Sequence, residues 1–196
     1  MGTIIETTTL FKGWLTLLRA KIAASAGHEF HRLIEDHGGA VAVLPYDALR
    51  QTVIVISQFR APVAFGSPDE PDVLEPIAGG IDNDDPDIAV RREALEEAGV
   101  GLQHLEPIGV YWCMPALSTE RIHLYLAPYS AMNRVADGGG LADEDENIRV
   151  HEISFAKLFE LTSASGCDLK LLALSQALKR RLEILETKSG ADRSPS

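Results

Sequence analysis

Three glutamates, Glu93, Glu96 and Glu97, stand at i, i+3 and i+4 in the run PDIAVRREALEEAGV. At about 100° per residue they share one face of a helix. Asp85 followed by Pro86 starts that helix, because the Asp side chain accepts from the free N–H groups of the first turn and proline at the first position sacrifices no hydrogen bond. Gly99 stops it in the C′ position. Ile88, Ala94, Leu95 and Ala98 fall opposite the glutamates and are expected to face the core. Neighbouring carboxylates repel by roughly 0.2–0.5 kcal/mol per exposed pair, and Arg92 offsets part of this through an i, i+4 contact with Glu96. Three clustered carboxylates are a seat for a hard divalent cation, Mg²⁺ or Mn²⁺. An acidic helix face taken alone is more often merely solvated, so the surroundings decide.

Other groups along the chain suit a phosphorylated ligand. Arg60, in SQFRAPVAF at the end of an apolar strand, can meet a phosphate bidentately or be an ordinary surface arginine. Glu75 lies in VLEPIA and Glu120 in MPALSTE, where the plain alternatives are a solvated strand acid and an exposed loop acid. Asp137 to Glu146, DGGGLADEDE, is three glycines followed by a dense acidic run. Such a stretch is expected to be a mobile, solvent-facing loop, and it carries Glu144 and Glu146. The six histidines show no ligand spacing and are assigned no role.

The elements that must position these groups read as α/β. With 196 residues, 45% hydrophobic and 24% charged, the chain is long enough for one well-buried core and a small added subdomain. Residues 1–13 are expected to be loose. Trp14 to Ala23 reads as a strand or a short helix, and Glu29 to Glu35 as a strand paired with it around Ala26-Gly27. Gly38-Gly39 marks a boundary. Ala40 to Leu44 and Thr52 to Gln58 are apolar strands joined by Pro45-Tyr46-Asp47, and both suit a buried mixed sheet. Gly66 to Pro71 is a loop by composition; Val73 to Ala78, Ile108 to Met114, Ile122 to Ala127 and Ile148 to Ser154 are strands. Leu169 to Leu185 is a helix with an apolar stripe of Leu171, Leu174, Leu178, Leu182 and Leu185.

Composition also excludes. A net charge of −11 argues against a nucleic-acid partner, which calls for clustered Lys and Arg. Cys113 and Cys167 lack C-x-x-C spacing and read as buried, reduced thiols. Neither a leader pattern nor an apolar run of membrane-spanning length is evident, so no membrane association is expected and the expected location is the cytoplasm.

The stretch from Gly79 to Val100 resembles the Nudix box, which reads G, five residues, E, seven residues, R-E, apolar, any, E-E, any, G, apolar. Arg92, Glu93, Ala94, Glu96, Glu97, Gly99 and Val100 match its second half residue by residue. In the first half only four residues separate Gly79 from the acid, which is Asp84 in place of Glu. The resemblance implies a Nudix α/β/α sandwich with a mixed sheet (residues 38–187), preceded by a small N-terminal antiparallel β-sheet subdomain (1–37) that exchanges with its partner in a homodimer, and followed by a disordered tail (188–196). It further implies metal ligation by Glu93, Glu96, Glu97 and the Ala78 carbonyl. Substrate binding falls to Arg60 (from a Q-x-R segment), Glu75 (from L-L-E-x-x-A-G) and Glu120 (from the S-P-G-x-x-x-E loop, with Pro115 in register). GLADEDENIRVHEI is similar to the catalytic loop of ADP-ribose pyrophosphatases, which makes Glu144 the general base and Glu146 the fallback.

The reaction implied is Mg²⁺-dependent hydrolysis of a nucleoside diphosphate sugar, ADP-ribose to AMP and ribose 5-phosphate in the lead. The shortened IDNDDP loop and the GGG before the acidic run also resemble GDP-mannose pyrophosphatases, giving GMP and mannose 1-phosphate as the alternative. A rival from another class is a non-catalytic domain of the same fold that senses a nucleotide sugar.

Overall fold

The computed structural model describes residues 2–25, 27–69, 72–140, 147–164 and 166–191, with side chains as far as Ile184. Its first unit is a three-stranded antiparallel sheet of β1 (Gly2–Lys12), β2 (Thr16–Ala24) and β3 (Glu29–Asp36), in that order. β1 corrects the expectation of a loose N-terminus: it pairs with β2 from Gly2↔Ala24 to Lys12↔Thr16. The run TIIETTT is rich in β-branched residues, which favours a strand. All of β1 is exposed, so it shows none of the alternation by which half-buried strands are recognised. The open choice at Trp14–Ala23 resolves as a strand. This sheet is tied to the rest of the chain at Glu35, whose N–H donates to Leu117 O (2.9 Å) and whose carbonyl accepts from Thr119 N (2.9 Å).

A seven-stranded mixed sheet forms the centre: β4 (Ala40–Asp47), β5 (Thr52–Phe59), β6 (Asp72–Glu75), β7 (Ile77–Gly80), β8 (Glu106–Trp112), β9 (Arg121–Pro128) and β10 (Arg149–Ser154). The spine runs β10-β5-β4-β9-β8, with β6 on β5 and β7 on β4. β4 and β9 are parallel and the other pairs antiparallel. Pro45, Tyr46 and Asp47 belong to β4, and the turn falls after them, with Gln51 at φ 54°. The strand expected over Val73–Ala78 is two strands, because Pro76 has no N–H to give a ladder. At that proline the chain leaves β5 and pairs with β4 instead.

Period-two alternation sends Val41, Val43, Ile54 and Ile56 to one face and Ala42, Leu44, Val53 and Val55 to the other, all essentially inaccessible. The first face is covered by α2 (Pro86–Ala98). The second is covered by α4 (Leu169–Ala191) with α3 (Phe155–Ser163), while α1 (Ala61–Gly66) is a short helix following Arg60. This is the expected α/β/α arrangement. Leu171, Leu174 and Leu178 are fully buried and Leu182 packs beside them. α4 continues to Ala191, into the segment read as a tail. No helix among the described residues is long and apolar enough to cross a membrane.

Candidate functional site

α2 begins and ends where capping chemistry places it. Asp85 accepts from Asp87 N at 2.9 Å, Pro86 occupies the first position, and Gly99 closes the helix at φ 64°. Its orientation differs from the expectation. Ile88 and Leu95 are 60% and 46% exposed, and the core face is made by Ala89, Val90, Ala94 and Ala98. That face also carries Glu93 (9% exposed) and Glu97 (2%), so two of the three glutamates point into the protein.

They point at strand β7. Glu97 Oε2 accepts from Ala78 N at 3.0 Å. The Glu93 carboxylate lies directly over Gly79, where a Cβ would fall inside the glutamate itself, so any side chain at 79 would displace that carboxylate. Arg92 Nη1 donates to Glu96 Oε2 (3.1 Å) and pairs with Glu93 Oε1 at 2.9 Å, and Nη2 donates to Gly80 O (3.2 Å). Asp84 stands 3.8 Å from Arg92 Nε, so its visible contact is with the arginine that orders this loop. Among the described residues no group of three or more His, Cys, Asp or Glu side chains is gathered tightly enough to hold a metal ion in this arrangement. The donor set nevertheless suits a hard divalent cation: two carboxylates are pressed against the Ala78-Gly79 backbone, with Glu96 alongside.

Arg60 and Glu75 come together as a pair. Arg60 Nε and Nη2 donate to the two Glu75 oxygens at 2.6 and 3.0 Å. Lys170, in the first turn of α4, donates to Glu75 Oε2 (3.1 Å) and to Asp168 Oδ2 (2.8 Å). Burial disfavours the charged form of Glu75, but the guanidinium and the ammonium outweigh it and hold this carboxyl below the usual range. Burial likewise works against the charge on Lys170, and Asp168 and Glu75 more than restore it. Lys170 and Asp168 were not anticipated. Asp168 has a readable signal, since it caps α4 by accepting from Leu171 N at 2.9 Å; a lysine in a first turn has none.

Glu120 is held at the end of β8. Burial and the neighbouring Glu120 carboxylate raise the Cys113 thiol to about 12, and the Cys113 N–H donates to the Glu120 carbonyl at 3.3 Å. Charge links the clusters: Arg60 is further favoured by Glu97 and Asp168, and Cys113 senses Lys170 and Asp168. Arg60, Glu75, Lys170 and Asp168 form one bonded cluster, with Glu97 near enough to favour the charge on Arg60.

Glu144 and Glu146 lie outside the described residues. The glycines before them are docked on α2: Gly139 N donates to Glu97 O (2.8 Å) and Gly140 N to Glu96 O (3.2 Å). These bonds satisfy carbonyls that the helix end leaves without partners.

The crystal structure of an ADP compounds hydrolase shares this mixed α/β sandwich. That likeness has a TM-score of 0.73 and covers 93% of this chain and 94% of the other, at 18% identity, which makes it a likeness of fold. The NUDIX domain family model matches residues 36–175, and the chain belongs to the NUDIX family. It is similar to a GDP-mannose pyrophosphatase of Escherichia coli O1:K1 / APEC, 35% identical over 130 residues (66% of this chain, 67% of the other), and to one of Salmonella arizonae, 33% identical over the same span.

Proposed function

We propose that this protein hydrolyses the diphosphate bond of a nucleoside diphosphate sugar, with GDP-mannose as substrate and GMP and mannose 1-phosphate as products. The observation that carries the reaction is the placement of Glu93 and Glu97 against Ala78 and Gly79, with Arg60 within charge range of Glu97. The choice of substrate rests on likeness to GDP-mannose pyrophosphatases, which favours GDP-mannose over the ADP-ribose expected first from the loop motifs.

Glu93, Glu96, Glu97 and the Ala78 carbonyl are the groups that would hold Mg²⁺ or Mn²⁺. Such a cation, when bound, screens the charge on the diphosphate oxygens. Arg60 binds the diphosphate by exchanging part of its contact with Glu75, the guanidinium fork suiting either partner. Glu120 meets the nucleotide sugar from the β8 side. Glu144, or else Glu146, removes the proton of the attacking water. That water's oxygen bonds to one phosphorus as the bridging P–O bond breaks. The chain is proposed to act as a homodimer, since β1 is exposed along its length and leaves Ile4, Ile5, Leu10 and Phe11 about half uncovered.

The test is product release from GDP-mannose and ADP-ribose in parallel, with and without Mg²⁺, for wild type and Glu97→Gln. Metal-dependent GMP from wild type, lost in a folded Glu97→Gln protein, supports the proposal. AMP alone restores ADP-ribose as substrate. No metal-dependent product from either refutes catalysis and leaves a nucleotide-sugar sensor.

A further inference from the structure

His37 sits between β3 and the Gly38-Gly39 pair that leads into β4, at the seam between the N-terminal sheet and the main domain. Its Nε2 is 3.0 Å from Glu35 Oε1 and its Nδ1 3.8 Å from Glu120 Oε1, with the ring mostly covered. Trp14, in the turn joining β1 and β2, lies against the imidazole with ring centroids 5.4 Å apart. From the other side the Cys113 N–H donates to the Glu120 carbonyl at 3.3 Å, and the Glu120 carboxylate helps raise the Cys113 thiol.

We propose that His37 is a positioning residue for Glu120, through which the N-terminal sheet sets the substrate-binding carboxylate. The inference rests on the reading that Glu120 contacts substrate. A plain structural staple is the competing explanation, and the backbone already supplies one. Besides the Glu35 bonds to Leu117 and Thr119, the Thr119 hydroxyl donates to Asp36 Oδ1 at 2.6 Å. The 114–120 loop is thus fastened to β3 without His37. What those bonds leave undetermined is the direction of the Glu120 carboxylate. The His37 imidazole, 3.8 Å from Oε1, brings the N-terminal sheet within ion-pair distance of that carboxylate. Trp14 lies beside the His37 ring at an interplanar angle of 43°.

The experiment compares His37→Phe, His37→Gln, Glu120→Gln and the His37→Phe/Glu120→Gln double variant. Phenylalanine keeps a ring for Trp14 and loses both nitrogens; glutamine keeps one donor. Each is assayed for KM and kcat with GDP-mannose and ADP-ribose in Mg²⁺, for direct binding of both, and for Tm. Glu120→Gln is expected to raise KM by about 10–150-fold, the range for losing one charge-assisted hydrogen bond. His37→Phe is expected to raise KM by about 3–10-fold with kcat within twofold and Tm nearly unchanged, to add nothing in the Glu120→Gln background, and to be largely rescued in His37→Gln. If Glu120→Gln raises KM and His37→Phe does not, or if His37→Phe acts equally in both backgrounds, the positioning role is wrong while the substrate role of Glu120 stands. If Glu120→Gln changes neither KM nor binding, or neither nucleotide sugar binds, the reading of Glu120 falls and this inference with it.

Discussion

Gly79→Ala separates the work of the α2 glutamates from the stability of the fold. Gly79 lies in β7, paired with Val41, and its φ is not in the left-handed region. Alanine is therefore compatible with the backbone, and restricting the unfolded chain contributes about 0.4–1 kcal/mol in its favour. The added methyl would fall inside the Glu93 carboxylate, well under the 3.0 Å that real Cβ atoms keep. The obstructing group is the end of a flexible side chain, so it can swing away. Moving it breaks the Glu93–Arg92 contact of 2.9 Å, whose arginine stays about one-third exposed and keeps Glu96, at a cost of about 1 kcal/mol. The two stability effects nearly cancel, and Tm is expected to stay within about 4 °C of wild type. Activity should respond very differently, because a carboxylate misplaced by about 1 Å costs on the order of 10²-fold in rate. The assay is initial GMP release from GDP-mannose as a function of Mg²⁺, read beside thermal unfolding. The expected result is a loss of about 10²-fold in kcat/KM with a raised Mg²⁺ requirement in a fully folded protein. Wild-type kcat/KM and Mg²⁺ dependence in Gly79→Ala would falsify the placement of Glu93 in the reaction.

Two further substitutions test the packing around the site. Glu75→Gln leaves Arg60 without its bidentate partner; breaking a buried pair costs about 3–5 kcal/mol, reduced to about 2–3 because Arg60 is 40% exposed and Lys170 keeps Asp168. Glu75 has a depressed carboxyl, so its stabilisation is present above the unfolded value near 4.5 and is lost as pH falls through the lower folded value. Urea unfolding of wild type and Glu75→Gln should differ by a constant amount from about pH 7 to pH 5 and converge in stronger acid; an equal difference at every pH would exclude the ion pair as its source. Gly138→Ala should destabilise by about 2–4 kcal/mol, combining the left-handed penalty of about 1–2 kcal/mol with overpacking. Gly138 has φ +75°, and the new Cβ would stand 2.5 Å from Glu97 O and 2.7 Å from Ala98 C, both backbone atoms. Gly66→Ala, with nothing within 4 Å, is the control expected to leave Tm unchanged.

The limits of α2 were legible because capping is local: an aspartate, a proline and a glycine at fixed offsets decide where a helix starts and stops. Its facing was not, since burial is decided by the partner. Ile88 and Leu95 look like core residues until the strand beneath proves to be Ala78-Gly79, whose backbone N–H and missing side chain admit Glu97 and Glu93 instead. β1 escaped notice because both its faces are exposed. α1 and α3 are short, and nothing in their periodicity separates them from loop; α3 has only the cap at Ser154, which accepts from Lys157 N. Arg60, Glu75 and Glu120 could be named one by one from the resemblance. The bonding of Glu75 to Arg60 and Lys170, and the approach of His37 to Glu120, join positions as far as 95 residues apart, and no local pattern carries such a link.

The assembled site also bears on why this acidic chain would need a divalent cation. Its net charge of −11 offers no general attraction for a diphosphate. The cations nearest the proposed site are already engaged: Arg60 with Glu75, Lys170 with Glu75 and Asp168, Arg92 with Glu93 and Glu96. Against these three stand Glu75, Asp168, Glu93, Glu96, Glu97 and Glu120, an excess of negative charge before any substrate arrives. A diphosphate entering such a zone alone would meet repulsion that Arg60, released from Glu75, could only partly offset. The same excess makes the zone receptive to Mg²⁺, so cation and diphosphate should favour each other's binding. Under the proposed function Glu75 would serve two ends: it keeps Arg60 and Lys170 aligned in the free protein, and with two cationic partners it could release one to substrate without being left as an unpaired buried charge.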